Sequence, residues 1–153
     1  MPQTHPAPQD PRFEMRVRAS FARQAFMATL GARLLSVTPG RVEIALPFRN
    51  DLTQQHGFLH AGVVAAVADS ACGYAALSLM PADCGVLSVE FKINLMKPAS
   101  GGSFRALGSV IRAGRTLMVC GAEVLAAADG GESTVALMQG TMMVVRDKAG
   151  VAD

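Results

Sequence analysis

The segment Gln54-Gln55-His56-Gly57-Phe58-Leu59-His60-Ala61-Gly62 runs directly into an apolar stretch, residues 63–80, that carries one carboxylate, Asp69. Every other position in that stretch is Ala, Val, Leu, Met, Ser, Gly, Cys or Tyr. The pattern predicts a helix of about 20 residues, roughly 30 Å long, apolar all round and stopped by Pro81. An ionised Asp in such surroundings costs several kcal/mol unless something pairs with it. Either the fold supplies a partner, as for a structural acid bonded to an amide or hydroxyl, or the acid is used. A glycine-loosened loop leading into a helix with one buried acid has the layout of a catalytic site.

The same stretch is greasy enough to raise a membrane span. Asp69 near its middle and the lack of a flanking basic cluster argue instead for a helix enclosed within a protein, with no membrane partner.

Upstream, Asp10-Pro11 reads as a helix start, and Phe13, Val17 and Phe21 recur at i+4 until Gly31 closes the run after Leu30. Residues 34–38 and 41–47 then read as a hairpin around Pro39-Gly40, with Val42, Ile44 and Leu46 on one face. Downstream, strand patterns over 86–96, 103–112, 116–127 and 133–146 are separated by Ser100-Gly101-Gly102, Ala113-Gly114 and Asp129-Gly130-Gly131, which predicts an antiparallel meander. In the first of these, Leu87, Val89, Phe91, Ile93 and Leu95 should cover the core, with Ser88, Glu90, Lys92, Asn94 and Met96 on a polar face. A long apolar helix must be enclosed, and a curved antiparallel sheet of five to six strands is the surface available. The expected class is α+β, with the helix wrapped by the sheet.

The length of 153 residues suits one domain, expected over 11–147, with a disordered N-terminal tail over 1–10 and a C-terminal tail over 148–153. Half the residues are hydrophobic and the net charge is +2, which points away from disorder and from nucleic-acid partners. Such a mild positive excess suits a small phosphorylated ligand. Cys72, Cys84 and Cys120 are odd in number and lack CxxC spacing, against both a disulfide framework and a zinc ribbon. With no signal-peptide pattern at the N-terminus, a reducing, cytoplasmic location follows, with no metal and no cofactor.

Three segments together resemble the hotdog-fold acyl-CoA thioesterases, in the PaaI-like group typified by the phenylacetate-pathway thioesterase. They are Gly57-Phe58-Leu59-His60-Ala61-Gly62 with Ala68-Asp69, then Ala71-Cys72-Gly73-Tyr74-Ala75-Ala76, then Ser88-Val89-Glu90-Phe91 leading to Met96-Lys97-Pro98-Ala99. The similarity runs from about residue 34 to residue 146. The family pattern usually reads His-Gly-Gly where this chain has Ala61 in the middle, and commonly has an Asn six residues before the His where this chain has Gln54; Ala61 keeps the backbone N–H and Gln54 keeps an amide.

The resemblance implies hydrolysis of a medium-chain or aryl-acetyl CoA thioester to a free acid and CoA. Asp69 would act as general base for water or as nucleophile, and the N–H of Ala61, with Gly62, would polarise the carbonyl. It further implies a homodimer joined edge to edge through its sheets, Asp69 and Ser88 of one subunit facing the His60 loop and Gln54 of the other, and a dimer of dimers as a further level.

The residues support this chemistry on their own terms. Free N–H groups at a helix start can hold the oxyanion of an attacked carbonyl. Gly57 and Gly62 would let that carbonyl approach the backbone, where an ordinary loop-to-helix turn is the plainer reading. Ser88 could orient Asp69 or a water, or be a plain sheet serine. His60 could transfer a proton or hold the loop, and His56 less so. Cys72 lies on the Asp69 face of the helix but lacks a basic neighbour and reads as a small buried hydrophobe. Lys97, Arg112 and Arg115 sit beside strand ends or turns, where they could meet CoA phosphates or simply face solvent.

Two other functions fit parts of the pattern. One is an acyl-CoA-binding module without turnover, in which Ala61 and Gln54 mark a decayed site. The other is a hotdog dehydratase, which resembles a different pattern with a Pro-containing loop around its His; no such Pro stands near His56 or His60.

Overall fold

The computed structural model describes residues 7–153. Two short helices, α1 (Phe13–Arg23) and α2 (Ala25–Leu30), precede β1 (Arg33–Thr38) and β2 (Arg41–Pro47). A 3-10 turn (Asn50–Leu52) leads to α3 (Ala61–Leu77), followed by β3 (Gly85–Leu95), β4 (Ser103–Ala113), β5 (Leu117–Ala128) and β6 (Gly131–Val145). The strands form one antiparallel sheet in the order β1-β2-β4-β5-β6-β3, and α3 lies across it, touching β2 to β6. This is the hotdog fold, α+β, with the long helix gripped by a six-stranded sheet.

The grip is tight because both surfaces are stripped of bulk. Val64, Val67, Ala68, Ala71 and Ala75 of α3 are buried against the sheet, and Gly108 of β4 lies directly beneath the helix backbone. A β-carbon at 108 would sit 2.2 Å from the Ala71 carbonyl oxygen, so only glycine permits this approach.

Several expectations need correction. The meander holds only for β4-β5-β6, because α3 carries the chain across the sheet and β3 emerges at the far edge, paired with β6 rather than β4. The N-terminal helix is two helices: Gln24 breaks it with an extended ψ of 96°, and its side-chain amide comes 3.4 Å from the Ser70 hydroxyl. Helix α3 spans 17 residues, not 20, ending at Ser78, whose Oγ accepts the Gly40 N–H and donates to the Ala75 carbonyl, both at 2.7 Å. No helix among the described residues is long and apolar enough to cross a membrane.

The tails also differ from expectation. Residues 1–6 lie outside the described residues, but Asp10 is buried and pairs with Arg16, and Gln9 donates to the Leu79 carbonyl. At the other end the chain folds back, bringing the Asp153 carboxylate to Ser20 Oγ at 2.6 Å and Val151 against Gly85.

In β3 a bulge between Ser88 and Glu90 shifts the side-chain alternation by one residue. Leu87 therefore faces away from α3, opposite Met143, while Ser88, opposite the buried Met142, faces it. Beyond the bulge Phe91, Ile93 and Leu95 return to the helix side, but little of the helix reaches them: Phe91 is 45% exposed and Leu95 52%. The strand expected to cover the core is an apolar edge largely open to solvent.

Candidate functional site

Asp69 is partly buried on the open side of α3. The inward turn of Ser88 at the bulge places its Oγ 2.7 Å from Asp69 Oδ1, donating to the carboxylate; Met142 Sδ lies 3.4 Å from the same hydroxyl. A charge-assisted bond of this kind supplies the partner that a carboxylate on an apolar helix requires.

Asp69 and Ser88 border a recess of about 170 Å³ together with Gln24, Gly73, Tyr74 and Asp153. None of the last four was expected at the site. Tyr74, the chain's one tyrosine, lies one turn beyond Asp69 on a helix otherwise built of small and aliphatic residues, which is the signal that could have marked it. Burial raises the Tyr74 hydroxyl above its ordinary pKa, and the neighbouring Ser20 hydroxyl opposes that rise.

The start of α3 is capped by His60, whose Nδ1 accepts the Gly62 N–H at 2.8 Å. Of the two oxyanion donors expected, the Gly62 N–H is thus already engaged. The Ala61 N–H meets no acceptor among the described residues and belongs to an exposed residue at the positive end of the helix dipole. The imidazole thus acts as the N-cap of α3.

The loop before it is pinned by backbone bonds: Gln54 N–H to Phe58 O at 2.9 Å, Leu59 N–H to Ala99 O at 3.0 Å and His60 N–H to Leu52 O at 2.9 Å. Gly57 holds φ +83°, a left-handed turn that favours glycine, with open space where a β-carbon would project. The left-handed backbone by itself accounts for glycine at 57. The Gln54 amide oxygen accepts the His56 N–H, leaving its NH₂ as donor.

Ala61, Gln54, Phe58 and Lys97 border a second cavity of about 420 Å³, which Leu95, Met96 and Val135 also line. Lys97 is thus beside the helix start. Arg112 and Arg115 are not: through β5 and β6, Arg112 is level with Glu90 of β3, about 20 Å along the strand direction from Lys97, and Arg115 lies farther, near the start of β3. Ala61 and Asp69, eight residues apart on one helix, are about 12 Å apart along its axis and border different cavities.

Cys72 is fully buried and its thiol is pushed up, first by desolvation and then by the neighbouring Cys120 and Asp69. Among the described residues no group of three or more His, Cys, Asp or Glu is placed to hold a metal ion.

Comparison with known proteins agrees with this architecture. The model of the thioesterase superfamily matches residues 56–132, which hold the His60 loop, all of α3 and β3 to β5. A solved thioesterase family protein from Silicibacter pomeroyi is 52% identical, with a TM-score of 0.86 over 88% of this chain and 98% of that one. The Escherichia coli PaaI protein from the phenylacetic acid degradation operon superposes with a TM-score of 0.80 over 94% and 98%, at 20% identity, a likeness of fold alone. Two provisionally named esterases of Saccharolobus solfataricus also match. One is 33% identical over 77% of this chain and 76% of its own length; the other is 31% identical over a segment spanning 64% of its length. The chain, with its acid-bearing helix wrapped by the sheet and its capped helix start, belongs to the thioesterase superfamily.

Proposed function

We propose that this protein is an acyl-CoA thioesterase whose site is completed by a second copy of the chain. The observation that carries the reading is the separation of complementary halves. Asp69, held by Ser88, borders one cavity, and the unengaged Ala61 N–H borders another about 12 Å along the same helix. One thioester carbonyl cannot meet both in a single chain. Two copies joined antiparallel along the open β3 edge would set the start of each α3 against the Asp69 region of the other. The small residues Gly62 and Ala66, on the uncovered side of α3, would let the two helices approach.

In that arrangement Asp69 takes a proton from water as the water attacks the carbonyl carbon, or attacks that carbon itself. The C=O electrons move to oxygen, and the Ala61 N–H with the helix dipole holds the resulting oxyanion. Collapse breaks the C–S bond, and CoA leaves as the thiolate and takes up a proton; with water as the attacking group the acid is released directly, and with Asp69 as the attacking group water then cleaves the mixed anhydride to release the acid and restore the carboxylate. His60 fixes the loop that presents Ala61, and Gln54 and Ser88 flank the attacking group. Lys97, beside the Ala61 cavity, suits a CoA phosphate. The acyl classes that the resemblance implies are medium-chain and aryl-acetyl.

Replacing Asp69 by Asn keeps the shape and removes the charge. Acyl-CoA hydrolysis, followed by release of free thiol, should fall by about 100-fold or more with the oligomer intact. An intact oligomer hydrolysing at the wild-type rate would overturn the assignment, and binding of acyl-CoA with no thiol release by the wild type would favour the non-catalytic module.

A further inference from the structure

Gly73 is a glycine inside a helix with no structural need for it in the chain. Its backbone is ordinary helix, and a β-carbon there would meet no atom within 4 Å. Glycine at such a position destabilises a helix relative to alanine. The space it leaves open belongs to the recess beside Asp69, one turn along the same face.

The walls of that recess are polar. Ser20 and Gln24 come from α1 and the break after it, Ser70 and Tyr74 from α3, and Asp153 from the returning C-terminal segment. The Gln24 amide and the Ser70 hydroxyl hold each other only loosely, at 3.4 Å, so both can take a better partner. Asp153 is engaged by Ser20 at 2.6 Å and Arg23 at 3.5 Å, and with Asp69 it makes the recess carry two carboxylates. Its volume of about 170 Å³ has room for roughly six water-sized atoms.

Resting on the thioesterase reading above, we infer that this recess receives the acyl group. Its class is a short acyl chain bearing a neutral hydroxyl, which Gln24 and Ser70 would bind, with Gly73 as the floor that admits it. The two carboxylates would repel an acyl chain ending in a carboxylate of its own. This departs from the medium-chain and aryl-acetyl classes implied by the family resemblance, and it assigns selectivity to the break between α1 and α2, to α3 and to the C-terminal segment.

The test is kcat/KM, by thiol release, for acetyl-, butyryl-, 3-hydroxybutyryl-, succinyl-, octanoyl- and phenylacetyl-CoA, with sedimentation to read the oligomer. The wild type should prefer 3-hydroxybutyryl- over butyryl-CoA by about three- to tenfold, the worth of one hydrogen bond, and should turn over succinyl- and octanoyl-CoA more slowly than either. Gln24→Leu should bring the hydroxylated-to-plain ratio close to one. Gly73→Val, which fills the floor, should lower the ratio of 3-hydroxybutyryl- to acetyl-CoA turnover by about tenfold or more. Gly73→Ala should raise Tm by a few degrees. Octanoyl- or phenylacetyl-CoA as the best substrate of the wild type would overturn the inference while leaving the thioesterase reading standing. So would an unchanged profile in Gly73→Val, or a change explained by loss of the oligomer. Turnover of no member of the panel would overturn both.

Discussion

His60 and Gly62 explain one another. The imidazole can accept the Gly62 N–H because residue 62 lacks a β-carbon, which would stand 3.0 Å from His60 Nδ1. One ring nitrogen of a histidine that looks like a general base in the sequence is thereby engaged in shaping the helix start. The cysteines are likewise withdrawn from chemistry. Burial pushes the Cys120 thiol from 9.0 up to about 12 and drives Cys72 upward as well. A thiol whose pKa is raised by folding stabilises the fold fully below the unfolded value and loses that contribution as pH rises towards the folded one. The urea midpoint should therefore decline between about pH 9 and pH 12, and Cys120→Ala should flatten that decline; an equal slope in the variant would assign the loss to other groups. Iodoacetamide at pH 8 should leave Cys72 unlabelled until the protein unfolds.

Between elements, the contact that sets the position of α3 is the one at Gly108. A valine there cannot be absorbed by a rotamer change, because the obstructing atoms belong to the Ala71 backbone. Gly108→Val should cost about 3 kcal/mol or more, read as a lowered urea midpoint or loss of folded protein. Gly102→Val, where a β-carbon meets nothing within 4 Å, should leave the midpoint close to that of the parent. The other end of α3 is closed by Arg16, whose guanidinium donates to the carbonyls of Leu77, Met80 and Pro81 and pairs with Asp10 at 3.4 Å. Burial lowers the Arg16 pKa and Asp10 opposes that shift, so the segment expected as a free tail helps hold the helix end.

For the molecule as a whole, the feature that most needs an explanation is the β3 edge. Val89, Phe91 and Leu95, and Met96 just past the strand end, are each 45% exposed or more, on an edge with one side unpaired. An apolar edge of this kind is a template for pairing with another chain. On the proposed site, Phe91→Lys should yield a folded monomer that sediments as one chain and hydrolyses acyl-CoA at least about tenfold more slowly, because the helix start of the second copy is lost. Full activity from a monomer would sink the idea that the site spans two copies.

The amino-acid pattern alone determined that one long apolar helix carries one acid, that glycine-punctuated strands surround it, and that the loop from Gln54 to Gly62 precedes it. Those are local matters of periodicity, turn chemistry and composition, which each segment carries within itself. Only the tertiary structure decided that β3 lies at the far edge beside β6, because strand neighbours are chosen by where α3 delivers the chain and not by sequence adjacency. The bulge that turns Ser88 onto Asp69 and the return of Asp153 to the same recess were equally out of reach of periodicity. A slipped register and a folded-back segment are fixed by contacts between residues distant in the chain, 19 apart for Ser88 and Asp69 and 133 apart for Ser20 and Asp153.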